Sequence, residues 1–67
     1  MRDPNRLDNV YAEVARLHKE NLPDWRIGQL WSNFGGWMWQ EKQKDMFFPE
    51  EDEFLKCFTE FIEAMTS

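Results

Sequence analysis

The sequence predicts an all-α fold, a compact three-helix domain with a short additional helical turn accommodated in residues 37–44, and three observations predict it. Apolar residues recur at helical spacing in three separate stretches. Two of the stretches open on a proline beside acidic residues and the third on an aspartate, all suited to helix starts. The breaks between them carry Asn, Pro or paired Gly, which interrupt helices. All 67 residues read as a single domain, spanning 1–67.

Asp3-Pro4 begins the first helix, because an N-cap aspartate accepts a bond from an orphan amide and proline is preorganised for the first helical position. Leu7, Val10, Tyr11, Val14 and Leu17 then form one stripe, with polar residues opposite, and the helix is expected from Pro4 to about Glu20. Asn21 suits a left-handed cap and Pro23 resists continuation, so 21–23 should be a tight connection. Asp24 is expected to cap a second helix whose inward stripe is Ile27, Leu30, Trp31 and Phe34, ending in a chain reversal at Gly35-Gly36. Gly28 lies inside this helix at a propensity cost of ~1 kcal/mol relative to alanine, which suggests close approach of another group. Residues 37–48 combine an aromatic cluster with a polar run and fix the least. Pro49 opens the third helix, Glu50 to Glu53 place carboxylates at the positive end of its dipole, and Phe54, Leu55, Phe58, Phe61, Ile62 and Met65 form an aromatic inward face.

A domain this small buries only ~60% of the surface its unfolded chain exposes, so a staple or a partner would support it. Cys57 and His18 are each the single residue of their type, which rules out an internal disulfide and leaves no zinc-ligand set. The unpaired thiol and the absence of a signal-type segment near Met1 lead to an expected cytoplasmic location. No uninterrupted apolar stretch exceeds three residues, as at Trp37–Trp39, against the ~20 needed to span a bilayer, so no membrane helix is expected.

Charge is distributed unevenly. Residues 1–44 hold seven basic and six acidic side chains, for +1, whereas 45–67 hold one basic and seven acidic, for −6. That field repels phosphates and attracts basic protein surfaces, so direct nucleic-acid binding is disfavoured.

Three blocks carry a resemblance: Arg2-Asp3-Pro4-Asn5-Arg6; Pro23 to Leu30, with Asn33; and Asp45 to Leu55. In order and spacing they resemble a group of small uncharacterised proteins of bacteria and their phages, although Gly35 to Trp39 is richer in tryptophan than that group's pattern. The resemblance implies a prokaryotic or phage origin and a helical fold, and it supplies no active site.

No phosphate-binding glycine loop, zinc spacing, nucleophile elbow or dinucleotide fingerprint occurs, so no catalytic residue, cofactor or metal is expected. His18 reads as a capping or surface residue near the end of the first helix, and Cys57 as an inert helix residue. The three stripes supply fifteen core candidates, which leaves Trp25, Trp37, Trp39, Met46, Phe47 and Phe48 over. These either fold back as a lid on the helices or form an exposed patch of the kind that marks interfaces. The acidic run is either a charged first turn or, joined by Asp45, Glu60 and Glu63, a surface fitted to the groove of a basic, nucleic-acid-binding protein. The expected function is therefore a non-catalytic protein-binding module, an accessory or inhibitory factor of a phage or mobile element docking on a host protein. The partner-binding candidates are Trp25, Trp37, Trp39, Phe47, Phe48, Glu50, Glu51, Asp52 and Glu53. The alternative is a structural homo-oligomer in which the same aromatics meet across a two-fold axis.

Overall fold

The computed structural model describes residues 3–46 and 49–67, and it contains three α-helices and no strand among them. They are α1 (Arg6–Asn21), α2 (Ile27–Trp37) and α3 (Glu51–Thr66), and a π-helical turn over Met38–Lys42 prolongs α2. The expected three-helix architecture and the expected extra turn are both present.

The first helix begins two residues later than the sequence suggests. Asp3 does accept an amide bond, from Asn5 N–H at 2.9 Å, but Arg6 and Leu7 donate to carbonyls only three residues back, so the entry is a tight turn that widens into α1 at Arg6. At the other end the chain leaves α1 through Leu22 at φ −136°, not through a left-handed Asn21. Asn21 instead turns its side-chain amide back onto the Leu17 carbonyl, 2.9 Å away. The ring Nε2–H of His18 donates to the Trp25 carbonyl at 2.7 Å and ties the connection to the last turn of α1. Trp25 is thereby held ahead of the second helix, and Asp24 falls in a turn instead of capping it. The cap position belongs to extended Arg26, with no side-chain cap bond.

The glycines depart furthest from expectation. Gly35 and Gly36 do not reverse the chain; both are helical, neither has positive φ, and the helix runs through them to Lys42. Gly28 meets no close approach either, because a Cβ built there finds nothing within 4 Å. The reversal falls at Gln43, whose φ of 53° makes it the one non-glycine left-handed residue among those described. Its N–H bonds to Trp39 O at 3.1 Å, satisfying a carbonyl that the helix end would otherwise orphan. The third helix starts at Glu51 behind extended Glu50, so Pro49 precedes the cap position instead of opening the first turn.

Continuing α2 past the glycines has one large consequence for the core. Met38 lies one turn beyond Phe34 and is fully buried with Phe34, Phe58 and Phe61. Phe34 is the centre of this cluster, with ring centroids 5.3, 5.2 and 5.3 Å from Phe54, Phe58 and Phe61. Two of these contacts are edge-to-face, a geometry worth about 0.5–1.5 kcal/mol per pair beyond area burial. Val14, Leu17, Leu30, Cys57 and Ile62 complete the buried set.

Eight stripe residues fall outside it. Val10, Trp31, Phe54 and Leu55 pack partly buried against it, whereas Tyr11 and Ile27 are each 67% exposed and Leu7 and Met65 are exposed to a lesser degree. The reason lies in the arrangement: α1 and α2 both rest on α3 and scarcely touch each other. Each outer helix therefore buries a narrower strip than a helix covered on two sides. At 19 Å, the thinnest dimension of the molecule is about two helix diameters.

Candidate functional site

The surplus aromatics separate into two groups. Trp25 is half-buried with its ring edge-on to Phe61 at 6.3 Å, and Trp37 stacks on Phe34 at 6.3 Å and meets Phe61 at 5.8 Å. Met46 is also half-buried, its sulfur 3.6 Å from where a Cβ on Gly35 would stand. These three extend the core, as a lid would. Trp39 does not: it is 65% exposed and belongs to the outer face of the π turn. Phe47 and Phe48, the other two aromatic candidates, lie outside the described residues.

The acidic candidates sit in the first turn of α3 or just before it, where the helix dipole favours them. Cations from elsewhere in the fold meet this helix. Arg6 Nε is 2.6 Å from Glu51 Oε1, Lys44 Nζ is 2.9 Å from Glu53 Oε1, and Lys42 Nζ is 3.2 Å from Glu60 Oε1. The hydrogen bond from Lys44 to Glu53, reinforced by their opposite charges, raises the lysine's pKa above its ordinary value. Asp52 directs Oδ1 to the amide of Glu53 at 2.9 Å and otherwise faces outward. Opposite charge would let Arg2, Arg6, Arg16, Lys19 and Arg26 pair with α3; among the described residues Arg6 is seen to do so, while Arg16 serves its own helix, bonding Glu13 and Glu20. Arg2 lies outside the described residues.

Trp39 and the acidic helix share an open cleft of about 560 Å³, with Trp39, Gln43, Lys44 and Glu53 in its walls. On the other flank of Trp39 a second concavity is uncharged and includes Asn33, Gln40, Trp37 and the open Met65. The indole thus stands as a ridge between a charged depression and a neutral one. Its neighbours include hydrogen-bonding amides, carboxylates and thioether surface, a mixture that interfaces use.

One feature of the surface is not signalled by the periodicity. Between α1 and α2, where the two helices diverge, a mainly apolar groove of about 260 Å³ is lined by Leu7, Tyr11, Val14, Trp31 and Phe54, with Met46, Pro49 and Glu51 also in its wall. Only the packing of α1 and α2 on α3 reveals it.

Cys57 is buried beneath Lys44, Lys56 and Glu60, and His18 is engaged with the Trp25 carbonyl. Among the described residues no three His, Cys, Asp or Glu side chains gather as metal ligands do. No described helix is long and apolar enough to cross a membrane. No protein-family model, no curated protein and no solved structure matches the chain.

Proposed function

We propose that this chain is a non-catalytic protein-binding module, an accessory or inhibitory factor of a phage or mobile element that docks on a host protein through Trp39 and the flanking acidic start of α3. The supporting observation is the exposure of Trp39: the other three tryptophans lean on the phenylalanine core, while this one projects from the π turn. An indole held by a helix loses little freedom on binding, and tryptophan is among the residues that most often anchor interfaces. Phage origin and an inhibitory effect rest on the sequence resemblance and the charge distribution.

The two parts of the surface have separable kinetic signatures, because a charged rim acts on association and a buried anchor on dissociation. Surface-binding kinetics against a host protein captured by the intact chain should show Trp39→Ala raising the dissociation rate about thirtyfold or more, the size of a hot spot. Neutralising Asp52 and Glu53 to Asn and Gln should slow association and flatten its salt dependence. Unchanged dissociation in Trp39→Ala, with helicity retained, would remove Trp39 from the interface and end this reading.

A homo-oligomer has its own observation in favour: Tyr11 and Leu7 are exposed beside the α1–α2 groove. Sedimentation at micromolar concentration discriminates, since a monomer there leaves the docking reading and a tight dimer replaces it.

A further inference from the structure

The molecule already contains one filled version of the constellation that Trp39 leaves open. Lys42 Nζ stands 5.9 Å from the centroid of the Trp37 ring and 3.2 Å from Glu60 Oε1, so an ammonium is held between an indole face and a carboxylate of α3. Two residues further on the pattern repeats, with Trp39, then Lys44 five residues later, then Glu53, two helical turns before Glu60. In this second copy the lysine reaches its glutamate, but among the described residues Lys42 over Trp37 is the one cation placed on an indole. The ring of Trp39 is left uncovered beside a carboxylate.

We infer that the Trp39 cleft receives an arginine side chain presented by a basic segment of another protein, its guanidinium lying on the indole and reaching Glu53. The inference rests on the docking reading above and names what docks. Glu53 engages Lys44 through Oε1, and a carboxylate has acceptor capacity for a second cation at Oε2. Both partners of that pair are substantially exposed, so little is lost when an incoming cation shares or replaces Lys44. Arginine suits the cleft better than lysine, because its planar group stacks on an aromatic face while its fork of donors meets a carboxylate, and because it is more weakly hydrated. The field of the chain, −5 overall and concentrated in residues 45–67, steers a basic segment to this end and opposes a second copy of the same chain.

The test uses the intact chain and follows its four indole N–H resonances by NMR, assigned through Trp→Phe variants. The probes are a blocked peptide of arginines spaced by glycine and serine, and its lysine and glutamate counterparts. The arginine peptide should shift the Trp39 resonance saturably at low salt, the lysine peptide should bind about twofold more weakly, the low end of an exposed cation–π contact because an ammonium makes one too, and the glutamate peptide should have no effect. Glu53→Gln should weaken the arginine peptide, and Trp39→Ala, with helicity retained, should abolish its preference over lysine. Equal affinity for the two basic peptides, or shifts confined to Trp25, Trp31 and Trp37, would overturn the assignment. If Trp39→Ala still weakens a captured host protein while the arginine peptide ignores Trp39, docking stands and the arginine falls; if Trp39→Ala alters neither, both fall.

Discussion

Trp37 and Trp39 stand two residues apart on one continuous helical segment, and each is followed five residues later by a lysine that reaches a glutamate of α3. One indole lies against Phe34 and Phe61 under Lys42, and the other is mostly open to solvent. Composition does not separate them; helical phase does. A step of two residues along a helix carries a side chain about halfway round it, so if Trp37 faces the aromatic core, Trp39 is turned out of that core. The difference teaches that an aromatic surplus is two populations, one that closes a small core and one that the core never needed.

The strongest way to break this comparison is to remove the surface on which Trp37 rests. Phe61 is fully buried and touches Trp25, Phe34, Trp37 and Phe58. Phe61→Ala should cost ~3–5 kcal/mol, a large share of the stability of a small domain, and circular dichroism with urea melts should show an unfolded or barely folded chain. A variant that melts within ~1 kcal/mol of the parent would mean that the aromatic cluster is not the centre of the fold.

The tryptophans themselves give the next largest effect. Trp37→Ala removes a half-buried ring and should destabilise by ~2 kcal/mol, below the ~3–5 kcal/mol of a fully buried aromatic. Trp39→Ala should fall within ~0.5 kcal/mol of the parent, as surface changes do. Equal losses in the two urea midpoints would erase the distinction and, with it, the docking surface.

How much of this was legible in the sequence follows from the same geometry. The stripe of α3 was readable in Phe54, Phe58, Phe61 and Ile62 because that helix is covered from two sides, and a wide apolar face then has somewhere to go. On α1 the same rule placed Tyr11 and Leu7 inward, where they are not, because periodicity gives the direction of a face and not the number of neighbours that cover it. Met38 escapes the periodicity because a glycine pair reads as a stop, although the Leu30–Phe34 stripe extended by four residues reaches it. Gly35-Gly36 is a weak stop when the helix can bury Trp37 and Met38 by continuing, since burial of two large side chains outweighs ~1 kcal/mol of propensity per glycine. For the site, the acidic run and the tryptophans were visible as residue types. Opposite charge alone allows Arg6 to pair with α3, but the pairing of Lys42 and Lys44 with it is not legible, because it depends on where the π turn and the reversal at Gln43 aim those side chains.

The smallest expected effect concerns how loosely the open side of the comparison is held. Lys44 is raised above the ordinary lysine pKa first by its hydrogen bond to Glu53 and then by the charge of that carboxylate. A group whose folded pKa exceeds its unfolded value adds stability that is fully present below the unfolded pKa and is lost as pH rises through the folded one, so the contribution of this pair should fade only in strongly alkaline solution. Because the pair lies at the surface, screening by salt keeps that contribution small, and the measurable quantity is the titration itself. NMR titration of the Lys44 ε-methylene should give a higher pKa in the parent than in Glu53→Gln, with the gap narrowing as salt is added. A Lys44 titration that ignores Glu53→Gln would show that Glu53 does not hold the ammonium. Glu53 would then have no standing ion pair, and an incoming cation would meet an uncommitted carboxylate beside Trp39 instead of one it must share.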